Sequence, residues 1–146
     1  MREFPKLAAE LFSQGCSCSE SVIKAAYETG LLDKNLDPEL LNRISSPFSG
    51  AMGTDQCLCG AVASSQLVLG LIFGRKTTQD DPHQIKIIAK SFIEKFKEQR
   101  KVTCCQALSG KFKDDPKAKR ANCTEIVREC AAIVQVVIKE KTGISV

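Results

Sequence analysis

Tryptophan is absent from this sequence, tyrosine occurs once and phenylalanine seven times. So few aromatics leave no platform on which unpaired bases could stack between basic residues. A net charge of +4 adds little, so no nucleic-acid partner is expected. Histidine also occurs only once. His83 follows Asp81-Pro82 at a predicted helix start, an ordinary place for an exposed polar residue, and nothing sets it beside a sulfur for Cys-His catalysis. No Gly-Lys-Ser or Gly-Lys-Thr is present, so Gly50, Gly53 and Gly60 do not make a phosphate loop and read as turn residues. A long apolar run is missing too. Met1 to Phe12 carries charges where a signal peptide needs an unbroken apolar region, so secretion is not expected. The uncharged stretch from Gln56 to Gly74 is interrupted by Gly60, Ser64, Ser65, Gln66 and Gly70 and falls short of a membrane span. No membrane insertion is expected.

What is present is an ordinary globular composition over 146 residues, 43% hydrophobic and 26% charged. A chain of this size buries roughly two-thirds of its unfolded surface and can build a core without disulfides. Helical spacing recurs and strand-like alternation does not. Phe4, Leu7, Ala8, Leu11 and Phe12 mark a first helix that halts at Gly15. Ser17-Cys18-Ser19-Glu20 has the form of a capping box and opens a second helix running to about Gly30. Asp37-Pro38 starts a short third helix ending before Pro47, and Ser49 to Thr54 reads as a flexible approach to an uncharged helix from about Cys57 to Phe73. Apolar nearly all round, that helix should be wrapped by the others. Asp81-Pro82 precedes a long amphipathic helix with the stripe Ile85, Ile88, Phe92 and Phe96, continuing to about Arg100. Thr103 to Ser109 suggests a short helix, Lys111 to Arg120 a charged surface loop, and Asn122 with Glu125 the cap of a last helix that ends by Gly143. The expected fold is all-α: one compact helical bundle over residues 1–146 with a buried central helix.

Eight cysteines are the abnormal feature: Cys16, Cys18, Cys57, Cys59, Cys104, Cys105, Cys123 and Cys130. In a reducing compartment, and the expected setting is cytoplasmic, such usage points to metal ligation or redox catalysis. Cys18, Cys59, Cys105 and Cys123 each fall within the first turn of a predicted helix, where the helix dipole and unpaired amides favour thiolate and lower a cysteine pKa. Cys130, mid-helix on an apolar stripe, reads equally as a packed core residue. Cys-x-x-Cys, the usual spacing of structural zinc and thioredoxin-like sites, is absent, as is Cys-x-x-Cys-His, so covalent c-type haem is excluded. The pairs present are two Cys-x-Cys and the adjacent Cys104-Cys105, for which local disulfides are an uncomfortable use. Ligands gathered from four segments suit an iron-sulfur cluster or another thiolate-bound metal, and dithiol exchange across the bundle equally.

These residues resemble the redox-active family named for its C_GCAxxG_C_C pattern, over most of the chain. Gly15-Cys16-Ser17-Cys18-Ser19-Glu20-Ser21-Val22 is similar to its opening segment, Cys59-Gly60-Ala61-Val62-Ala63-Ser64 to its central Cys-Gly-Ala-x-x-Gly motif, Cys105-Gln106-Ala107-Leu108-Ser109-Gly110 to its third cysteine segment and Cys123 onward to its fourth. The resemblance implies a helical fold and a four-cysteine centre of Cys18, Cys59, Cys105 and Cys123. Ser64 stands where the motif has its last glycine, and its side chain is expected to loosen a close helix contact or obstruct a cluster. Cys16, Cys57, Cys104 and Cys130 lie outside the pattern, the first three as candidate additional ligands.

The expected function is therefore electron transfer through an iron-sulfur cluster or other thiophilic metal held by the four cysteines. Thiol-disulfide redox activity by the helix-start cysteines is the first alternative, and a helical interaction module with structural cysteines the second. A redox partner protein is implied, for which the basic run Lys111, Lys113, Lys117, Lys119 and Arg120 offers an acidic partner a docking place, and a homodimer is allowed.

Overall fold

The computed structural model describes residues 3–146, and Met1 and Arg2, the first two residues of the stretch read against a signal peptide, lie outside it. Seven α-helices account for the described fold, which is all-α: α1 (Phe4–Ser13), α2 (Cys18–Glu28), α3 (Pro38–Ser45), α4 (Gly60–Phe73), α5 (His83–Arg100), α6 (Cys105–Ser109) and α7 (Pro116–Thr142). Short 3-10 turns at Ser46–Phe48 and Gly110–Phe112 follow α3 and α6. Among the described residues no helix is long and apolar enough to cross a membrane.

The local signals act where the sequence puts them. At the start of α2, the Glu20 amide donates to Ser17 Oγ (3.2 Å) and the Ser17 amide to Glu20 Oε2 (3.0 Å), a reciprocal capping box. Asp37 caps α3 by accepting from the Glu39 amide at 3.0 Å. Gly15, at φ +113°, makes the left-handed turn that separates α1 from α2. α1 packs on α7 and α2, α2 lies against α4 and α3, and α7 closes over α4 and α5. Leu7, Phe12, Ile23, Val62, Leu69, Phe92, Phe96, Val127 and Val134 join one buried core.

α4 is buried along Ala61, Val62, Ser64, Ser65, Val68 and Leu69. Its far side is less wrapped than an all-round apolar sequence predicts, since Leu67 and Ile72 are half-buried and Leu71 is exposed. The approach to it, expected as a flexible Ser49–Thr54 segment, is a tight left-handed turn instead. Gly50 and Gly53 take positive φ, and so do Ala51 (53°), Met52 (59°) and Asp55 (57°). Each non-glycine residue there costs about 1–2 kcal/mol. Thr54 Oγ1 helps hold the turn by donating to the Ala51 carbonyl at 2.7 Å.

The last helix starts earlier than its sequence suggests. Asp115, expected in a surface loop, is the cap, and its carboxylate accepts from the Ala118 amide at 3.1 Å with Pro116 opening the first turn. Asn122, expected as the cap, sits inside α7 and works across elements. Its Nδ2 donates to the Leu108 carbonyl at the end of α6 (3.0 Å), while its Oδ1 accepts from Arg100 Nη1 at 3.2 Å. Arg100 also donates from Nε and Nη2 to the two carboxylate oxygens of Glu129, at 2.7 and 2.8 Å. One partly buried network thus ties α5, α6 and α7 together.

Asp115→Ala is expected to lower the unfolding free energy by about 1 kcal/mol through loss of the cap. Asn122→Ala should cost about 1–2 kcal/mol, because the Leu108 carbonyl and Arg100 each lose a partner. Urea unfolding of both variants checks the pair.

Candidate four-cysteine centre

Three of the four pattern cysteines stand where a helix begins. Cys18 is the first residue of α2, Cys59 is the cap of α4 and Cys105 is the first residue of α6. Cys123 does not: with α7 starting at Pro116, it lies about two turns inside the helix. The fold nevertheless links the four sulfurs by pairwise charge interactions. Cys18 is acted on by Cys123, Cys59 by Cys18 and Cys105, and Cys105 by Cys123 and Cys18.

That proximity rests on a glycine. A Cβ placed on Gly60 would come within 2.6 Å of Cys18 Sγ and 2.6 Å of the Phe48 carbonyl oxygen, both too close for a real contact. Only a residue without a side chain lets the start of α4 back against the Cys18 sulfur. One turn on, Ser64 is fully buried and donates from Oγ to the Ser19 carbonyl at 2.5 Å. The side chain expected to loosen the helix contact instead bonds α4 to α2. At the other side of the centre, Ser109 Oγ and Cys123 Sγ approach to 3.5 Å.

The expected lowering of the thiol pKa values is overturned. Burial pushes the Cys59 thiol from its ordinary value of 9.0 up to about 12, against the amides of Val62 and Ala61, which favour the thiolate, while the charges of Cys18 and Cys105 push it further up. Burial likewise raises Cys18 despite the Gly50 amide, and raises Cys105 despite the Lys119 ammonium. Helix starts supply only a partial charge, and removing a thiolate from water outweighs it. Without a cation, then, Cys18, Cys59 and Cys105 hold their protons.

The remaining cysteines divide three ways. Cys57 and Cys104, expected as further ligands, are joined to each other by a disulfide with a Cα–Cα separation of 4.2 Å, so neither offers a free thiolate in this state. The bond links segments 47 residues apart, unlike the local pairs in the sequence. It is flanked by backbone hydrogen bonds from the Cys59 amide to the Thr103 carbonyl (2.9 Å) and from the Gln106 amide to the Gln56 carbonyl (3.0 Å). The segments carrying Cys59 and Cys105 are thereby clamped together. Cys130 is completely buried, its thiol raised well above the ordinary value by burial first, then by the charge of Cys59. Cys16 is free and half-buried, packed at the edge of the core. His83 is exposed at the start of α5.

A family model described as "Putative redox-active protein (C_GCAxxG_C_C)" matches residues 16–137. The chain belongs to this family. No curated protein and no solved structure matches the chain. In family terms, the central motif's Cys59-Gly60 pair is the point where α4 meets the Cys18 sulfur, and Ser64 replaces the motif's last glycine with an interhelical hydrogen bond. Sequence reasoning missed Gly50, whose amide favours the Cys18 thiolate, and Lys119, which acts on Cys105. The positive φ of Gly50 hides its role as a donor behind its role in the turn.

Gly60→Ala should destabilise the protein by about 1–3 kcal/mol, because a backbone carbonyl stands in the way and cannot swing aside. It should also speed alkylation of Cys18 as that sulfur is pushed outward. Thermal melts and mass-spectrometric alkylation rates read the two effects.

The Cys59 shift has a definite sign. A folded-state pKa above the unfolded one gives stability that is whole below pH 9.0 and is lost as pH rises toward about 12. Unfolding midpoints of the metal-free protein should fall over that alkaline window, and Cys59→Ala should flatten the fall. An equally steep alkaline loss in the variant would remove Cys59 as its source.

Proposed function

We propose that this redox-family protein transfers electrons through an iron-sulfur cluster held by Cys18, Cys59, Cys105 and Cys123. What supports the reading is a run of pairwise charge interactions among four free thiols from four separate elements: Cys123 raises Cys18 and Cys105, Cys18 raises Cys59 and Cys105, and Cys105 raises Cys59. Such a set is a soft donor set in want of positive charge, which thiophilic iron supplies. Among the described residues no group of three or more His, Cys, Asp or Glu is gathered to hold a metal ion. That weighs against a single ion, which would draw several sulfurs to about 2.3 Å from one point, and less against a cluster, whose ligands need not meet at one point.

When bound, the cluster supplies reversible one-electron chemistry. The chain's own groups would set its conditions. Cys18 and Cys59 would be held by the Gly60 contact, with the amides of Gly50 and Ser19 on the first and of Val62 and Ala61 on the second stabilising negative sulfur. Burial of Cys59 would keep water from that side, and the Cys57–Cys104 clamp would fix Cys59 against Cys105. Release of protons on loading follows from the raised pKa values. The reading carries a cytoplasmic setting, where free thiols stay reduced, and a redox partner protein.

A second reading is favoured by the disulfide beside the centre. In it, two of the four thiols give two electrons and two protons to a disulfide acceptor and close into a disulfide themselves.

Anaerobic reconstitution with iron and sulfide separates the two. The first reading expects visible absorbance and retained iron, lowered severalfold by serine at any of the four positions and unchanged by Cys16→Ser. Colourless, iron-free protein that loses two thiols reversibly on mild oxidation would overturn it in favour of the second.

A further inference from the structure

A polar cavity of about 450 Å³ opens on the surface beside Cys105, its lining including Asp55, Cys105, Lys113 and Lys119. Of the free cysteines, only Cys105 lines it. Cys59 and Cys130 are sealed in the core. Two of the lining residues are cations and one is an anion. Neither Lys113 nor Lys119 forms an ion pair among the described residues, so their charge faces the cavity and solvent without a fixed partner. Lys119 acts directly on the Cys105 sulfur, more strongly than Asp55 does.

We propose that Cys105 is a thiolation site for small anionic disulfides, which enter through this cavity and are selected by Lys113 and Lys119. The step is a thiol-disulfide exchange. The Cys105 thiol gives its proton to water, its sulfur attacks one sulfur of the incoming disulfide, that S–S bond breaks, a new S–S bond joins Cys105 to half of the molecule, and the other half leaves as a thiolate carrying the electron pair. No outside oxidant is needed beyond the disulfide itself. The proposal deepens the four-cysteine reading and rests on Cys105 being one of its thiols. Thiolation caps that sulfur, so a modified chain lacks one of the four ligands. The cavity is too small and too polar for a helix or a hydrophobic peptide, and a free thiol lines it beside two cations, which together favour a compact anionic disulfide.

The test compares two disulfide probes on the metal-free full chain: dithiobis(nitrobenzoate), a dianion, and dithiodipyridine, which is neutral. Modified cysteines are located by mass spectrometry. At low ionic strength the anionic probe should label Cys105 first. Lys113→Glu with Lys119→Glu should slow that labelling about tenfold, while the neutral probe slows less than twofold. Raising the salt should narrow the difference between wild type and variant. The Lys119→Gln single variant, which adds no repulsion, should give an intermediate rate. Equal slowing of both probes, first labelling at another cysteine, or no salt dependence would each overturn the proposal. Iron and sulfide uptake by the unmodified chain reads the cluster independently, so failure of thiolation and failure of the cluster are distinguishable.

Discussion

The close approach of α4 to α2 at Gly60 is the constraint on which the rest of the centre depends. A Cβ at this position would collide with the Cys18 sulfur and the Phe48 carbonyl oxygen together. The carbonyl is backbone and fixed by its 3-10 turn, so the clash has no inexpensive relief. Around this contact the molecule adds supports of different kinds: a buried serine hydroxyl from α4 to the α2 backbone, a left-handed turn that points the Gly50 amide at Cys18, and a disulfide beside Cys59. Each acts on a different sulfur or a different approach to one. None replaces the glycine, because each can only hold elements that are already close.

The electrostatics follow from the same closeness. Cys18, Cys59 and Cys105, short of water, are each easier to keep protonated than to ionise, and partial charges at three helix starts do not reverse that. A cysteine that works as a free nucleophile usually has its pKa lowered. Cys59 and Cys105 both have the opposite setting, since burial raises each, but Cys105 alone of the two lies at a cavity with an ammonium group that works against the shift. The centre therefore has a protected side and an accessible side. The two sides meet at Cys105, which borders the cavity and interacts with Cys18 and Cys123.

Much of the fold is legible in the sequence for reasons that can be named. α2 and α3 carry both an apolar period and a capping signal, and α1 an apolar period with a glycine stop, and in each the two agree. α7 is the exception. Its first two turns are rich in Lys and Arg, and solvated helical turns look like loop when read for apolar spacing alone. Asn122 with Glu125 imitates a capping box, and the deciding evidence for Asp115, an amide bond to its carboxylate beside a proline, is local but competes with that imitation. The strained turn at Ala51, Met52 and Asp55 was not readable either, since no residue type there demands left-handed backbone outside the glycines.

The helix-start positions of most candidate cysteines were legible, and their energetics were not. Cysteine at a helix start can be read from capping and spacing, and three of the four pattern cysteines stand at one. Burial is a property of the assembled core and is invisible at that level, and here burial decides the direction of every resolved thiol shift. The pairing of Cys57 with Cys104 is hidden for a related reason. It depends on two hydrogen-bonded segments that meet only once α4 and α6 are in place, so no spacing within either segment announces it. The same meeting point sets Cys59 and Cys105 next to the bond, which makes the four cysteines of these two segments one mechanical unit. Whatever reduces or forms that bond acts on how firmly two of the four proposed ligands are held.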